Sequence, residues 1–143
     1  MIENFKKLIY DFEMLFDKDW DYTCEMMYID RTELPNEEET FLTDWWSDWG
    51  CRDGLIKHYN NLREILTKKE VDEKKFLEEA KLFLYYLEEV LEKDWQWTCW
   101  ALGIDDEKRT FLNPQLEDET EDWGYRGSFL MNYQSCKFEL ERL

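Results

Sequence analysis

Laid against itself with a shift of 75 positions, the chain repeats. Lys18-Asp19-Trp20 falls on Lys93-Asp94-Trp95, Thr23-Cys24 on Thr98-Cys99 and Ile29-Asp30 on Ile104-Asp105. Positions between these identities keep their apolar character: Leu15 matches Val90, Phe16 matches Leu91, Tyr22 matches Trp97 and Met27 matches Leu102. After loops of unequal length the match resumes, with Thr40-Phe41-Leu42 on Thr110-Phe111-Leu112 and Asp48-Trp49-Gly50 on Asp122-Trp123-Gly124. Arg52 then falls on Arg126 and Tyr59 on Tyr133. The fold must therefore be two copies of one supersecondary unit, and a half of about seventy residues buries too little surface to be comfortably stable alone. The expectation is a single domain, 1–143, in which unit 1–67 and unit 68–143 cover each other's apolar faces.

Within a unit the apolar period changes. Ile2, Phe5, Leu8, Ile9, Phe12, Leu15 and Phe16 recur at steps of three and four, as do Phe76, Leu77, Ala80, Phe83, Leu84, Leu87, Val90 and Leu91, which predicts two amphipathic helices. Asp21 to Ile29 and Gln96 to Ile104 are rich in aromatic and sulfur-bearing residues and carry Thr23 and Thr98, so they read as strands. Thr40-Phe41-Leu42 and Thr110-Phe111-Leu112 read as short second strands. Helical spacing returns with Leu55, Ile56, Tyr59, Leu62, Ile65 and Leu66, and again with Phe129, Leu130, Tyr133, Cys136 and Leu140. For Ser128 to Leu143 an extended strand is the alternative. Thr67-Lys68-Lys69-Glu70 matches a capping box that would start the second unit's first helix. The expected class is α+β, two tandem helix-strand-strand-helix repeats packed together.

The chain carries 35 acidic against 18 basic residues, a net charge of −17. Asp17 to Asp53 holds 12 acids and 3 bases, or −9, and Glu92 to Arg126 holds 10 acids and 4 bases, or −6, so −15 of the −17 lies in the strand-and-loop part of the two units. Spread charge would serve solubility equally well, so this concentration points to a basic partner. The expected partner-contact residues are Glu37, Glu38, Glu39, Asp44, Trp45, Trp46 and Asp48 in the first unit and Asp118, Glu119, Glu121 and Asp122 in the second. Trp45 and Trp46 lack counterparts in the second copy, where Glu119 and Thr120 stand, so a shared core role does not account for them. An aromatic anchor ringed by steering charge is a common interface arrangement. Trp20 and Trp95, which repeat, are expected inside.

Chemistry-bearing motifs are sparse. The one histidine, His58, is read as a surface residue, and no phosphate loop, nucleophile elbow or metalloprotease helix is found. Asp17, Asp19 and Asp21 begin like a calcium loop, but Tyr22 and Tyr28 stand where Gly and Glu are needed. No catalytic residue, metal or cofactor is assigned, and no basic stripe is present to grip nucleic acid directly. The four isolated cysteines, the absence of a signal-peptide pattern and the lack of a long apolar run lead to the expectation of a cytoplasmic protein with reduced thiols and no membrane contact.

In size and composition the chain resembles the small acidic immunity proteins that bacteria make against nuclease toxins. Its expected function is accordingly that of a non-enzymatic inhibitor of a basic nuclease or toxin domain. The alternatives are a phage-encoded nucleic-acid mimic of the anti-CRISPR or anti-restriction type, and an enzyme or ligand-binding domain with its site between the repeats.

Overall fold

The computed structural model describes residues 1–26, 40–42, 50–102, 111–112 and 124–143. Helix α1 (Ile2–Glu13) turns Phe5, Leu8, Ile9 and Phe12 inward and runs through a π-helical turn (Met14–Lys18) into the short α2 (Trp20–Met26). Helix α3 (Gly50–Thr67) completes the first unit. The second unit repeats the order: α4 (Glu73–Glu88), a π-helical turn (Glu89–Lys93), α5 (Trp95–Leu102) and α6 (Gly124–Glu141).

The long helices pair across the repeat. Helix α1 lies along α6, and α3 along α4, so the first helix of each unit packs on the last helix of the other. Both pairs are antiparallel. The Met1 amine meets Glu139 at 3.0 Å while Asp11 accepts from Ser128, and His58 meets Glu79 while Gly54 lies against Tyr86. Buried side chains from all four helices merge into one apolar cluster, and this exchange is how each unit covers the other's apolar face.

Among the described residues there is no strand, and the expected α+β class is corrected to all-helical. The segments read as first strands are α2 and α5, and the reason lies in the π turns. The Asp19 and Asp94 amides reach back five residues, to Met14 and Glu89, each at 2.8 Å. An α-helix would have given those amides to Leu15 and Val90. The Thr23 hydroxyl donates to the Leu15 carbonyl at 2.6 Å, and the Thr98 hydroxyl to Val90 at 2.5 Å. These threonines, taken from the sequence as strand formers, are thus local partners of helix carbonyls. Phe41-Leu42 and Phe111-Leu112, read as second strands, are turns whose phenyl rings are buried. Their carbonyls are held by buried guanidinium groups: Arg52 donates to Phe41 at 2.7 Å and Arg126 to Phe111 at 2.8 Å.

The Thr67 capping box is also corrected. Helix α3 runs through Thr67, whose hydroxyl donates to Glu64, and α4 is capped by Asp72, whose carboxylate accepts the Lys74 and Lys75 amides at 3.1 and 3.2 Å. Ser128 to Glu141 is helix, not strand.

Replacing Thr98 with Val should cost about 1 kcal/mol, because an isosteric methyl cannot satisfy the Val90 carbonyl. Denaturant unfolding would measure it, and an unchanged midpoint would mean that the π turn does not need the hydroxyl.

Candidate acidic interface

Glu37, Glu38, Glu39, Asp44, Trp45, Trp46, Asp48, Asp118, Glu119, Glu121 and Asp122 all lie outside the described residues. What the structure describes is how the acidic stretches are fastened. A continuous series of rings runs from Trp20 to Phe41 (5.9 Å), Phe16 (5.1 Å), Phe111 (5.3 Å) and Trp95 (6.4 Å). Phe41 interrupts the first acidic stretch and Phe111 the second, so both are anchored in one aromatic cluster at one end of the bundle. Arg52 and Arg126 sit over the Phe41 and Phe111 rings at 5.6 and 5.3 Å, which spends a buried positive charge inside each unit.

Two further carboxylates are neutralised internally. Glu13 accepts from the Tyr59 hydroxyl at 2.7 Å and meets Arg63 at 3.2 Å; Glu88 accepts from Tyr133 at 2.8 Å and meets Lys137 at 3.4 Å. Burial, followed by the bonded carboxylate, raises both phenol pKa values and keeps the hydroxyls as donors. The described acids exposed at the anchored end are Asp21, Glu25, Asp53 and Asp94, with Asp53 lying 3.9 Å from the Arg52 guanidinium.

Among these acids stand Tyr22 and Trp97, 40% and 43% exposed, at equivalent positions of the two units. In α2, Trp20, Thr23 and Cys24 turn inward, which leaves Asp21, Tyr22 and Glu25 outside. The strand reading concealed this face, which a helical period applied to Trp20-x-x-Thr23-Cys24 would have displayed. Trp20 and Trp95 are buried, as expected from their repetition.

His58, read as a surface residue, is buried. Its ring stacks on Tyr86 at 5.4 Å and its Nδ1 lies 2.6 Å from Glu79. At the equivalent place in the other helix pair, buried Asp11 accepts from Ser128 at 2.7 Å and Asn132 at 2.8 Å. Beside them is an open cleft of about 380 Å³ rimmed by Lys6, Lys7 and Tyr10. An apolar cleft of about 400 Å³ opens between Met1, Ile2, Phe76 and Leu77. Cys24 is buried, Cys51 and Cys136 are free thiols, and burial pushes Cys136 up to about 12.

Among the described residues no cluster of three or more His, Cys, Asp or Glu could hold a metal, and no helix is long and apolar enough to cross a membrane. The fold and site define a duplicated all-helical bundle with two acidic segments fastened at one end. No family model, curated protein or solved structure matches the chain.

Proposed function

We propose that this protein is an acidic inhibitor that neutralises a basic protein partner in the cytoplasm, of the immunity or antitoxin type and directed at a nuclease toxin. The observation that carries the reading is the shared anchorage of the two acidic stretches: Phe41 and Phe111 both pack on Phe16, so segments holding −15 of the −17 charges are fastened to one end of the bundle. Carboxylates of these stretches would occupy the positions that phosphates take in a nuclease groove, giving fast, salt-sensitive association. Tyr22 and Trp97, with Trp45 and Trp46 from the sequence, would be the apolar anchors that slow release. The recurrence of the same contacts in both units supports a second reading, a nucleic-acid mimic for a twofold enzyme, since duplex DNA presents its phosphates with twofold symmetry.

Co-expression tests the first reading: the protein should protect cells from the toxin encoded beside its gene and copurify with it at low salt but not at high salt. Failure of both removes it. Replacing Glu37, Glu38 and Glu39 with Lys should slow association while leaving the fold intact. Replacing Trp45 or Trp97 with Ala should speed dissociation by at least about tenfold, the 1.4 kcal/mol expected of a modest anchor. Binding kinetics unchanged in both sets would move the interface elsewhere.

A further inference from the structure

We propose that the outer face of α6 joins two copies of this chain into a weak antiparallel dimer. The observation is a divergence between repeats at one structural slot. Along α3 and just past its end the stripe reads Lys57, Asn61, Glu64 and Lys68, all polar, with Lys57, Glu64 and Lys68 exposed and Asn61 half-buried, donating to Glu79 of α4 at 3.4 Å. The equivalent stripe on α6 reads Met131, Ser135, Phe138 and Arg142. Met131 is 71% exposed and Phe138 is 57% exposed, even with the Arg142 guanidinium 5.1 Å from its ring. Seven residues apart, the two side chains lie on the same helix face. The first unit shows that this slot folds with charged side chains, so folding does not require apolar groups there.

Charge and geometry select a second copy as the occupant. Residues 127–143 hold Lys137 and Arg142 against Glu139 and Glu141 and are neutral, on a chain of −17. A basic partner is drawn to the acidic stretches, whereas two copies can meet on the neutral α6 segment without setting acidic stretch against acidic stretch. Met131 and Phe138 straddle the small Ser135 almost evenly. A twofold antiparallel crossing at Ser135 therefore sets each Met131 against the partner's Phe138, an isologous contact of thioether with ring. The N-terminus of α6 lies at the anchored end of the acidic stretches, so antiparallel pairing carries the two acidic ends to opposite extremities, where parallel pairing would abut them. Crossing through one helix face buries less than a standard interface, and the dimer is correspondingly weak.

Sedimentation equilibrium from about 10 μM to about 1 mM, the range that a weak contact occupies, tests this. The apparent mass should climb from 17.8 kDa toward twice that value as concentration rises. It should climb further at high salt, because screening removes the repulsion between two −17 bodies. The double variant Met131→Lys, Phe138→Glu, which installs the residues of the first unit's stripe, should keep its helical circular dichroism and thermal midpoint and stay at 17.8 kDa throughout. Wild type that stays monomeric at every concentration overturns the proposal, as does a folded double variant that still dimerises. A monomeric wild type whose binding to a basic partner is lost in the double variant would assign the face to that partner instead.

Discussion

Phe16→Ala should lower the free energy of unfolding by about 3 to 5 kcal/mol, the usual cost of emptying a phenyl-sized site in a packed core. Phe16 is fully enclosed, and its ring lies 5.0 Å from Phe12, 5.1 Å from Phe41, 5.3 Å from Phe111 and 6.3 Å from Phe129. It joins α1 and α6 to the turns that fasten both acidic stretches. Its repeat equivalent is Leu91, so the second unit offers no matching ring to take over the contact. A loss of this size is a large fraction of the 5 to 15 kcal/mol that typically holds a domain together. Denaturant unfolding with tryptophan fluorescence gives the number. Phe16 bridges Phe41 and Phe111, so hydrogen exchange should show protection falling at 40–42 and at 111–112 together. If only 40–42 loosens, the two stretches are fastened separately, and the shared anchorage on which the inhibitor reading rests is lost.

The duplication, the four long helices and the inward Trp20 and Trp95 were legible in the sequence because each depends on a period or an identity that one chain displays on its face. The class was misread at Thr23 and Thr98. A β-branched residue among aromatics has the composition of a strand, and its actual task, a hydroxyl donated to a carbonyl freed by a π turn, depends on a backbone irregularity that no apolar period records. Phe41 and Phe111 were misread for a related reason. A short Thr-Phe-Leu run looks like a strand, but Arg52 and Arg126 make their carbonyls' hydrogen bonds, so no ladder is needed. The acidity of the two stretches was legible because charge adds up without regard to geometry, while the contact residues expected within them lie outside the described residues. Tyr22 and Trp97 were not, since exposure follows from the helical phase of α2 and α5, and the wrong period hides it.

Gly54→Ser should destabilise the protein by about 2 to 3 kcal/mol, although glycine inside a helix ordinarily invites replacement, with a gain of up to about 1 kcal/mol. A Cβ at position 54 would stand 2.4 Å from the Tyr86 ring, which is itself held by its stack on His58. In the other helix pair the three equivalent places hold Ser128, Asp11 and Asn132, joined by hydrogen bonds where this pair uses a half-buried tyrosine ring. The two solutions are mutually exclusive at each position but complete as sets. Gly54→Ser, His58→Asn and Tyr86→Asp together should therefore recover more than half of what Gly54→Ser alone loses, a coupling that thermal unfolding of the single, double and triple variants would measure. Additive losses would mean that the pairs do not act as units. Strong coupling would explain how a duplicated chain keeps its partners straight: α1 accepts α6 and α4 accepts α3 because the interlocking groups of the two pairs cannot be exchanged, which disfavours α1 taking α3, or α4 taking α6, at these positions.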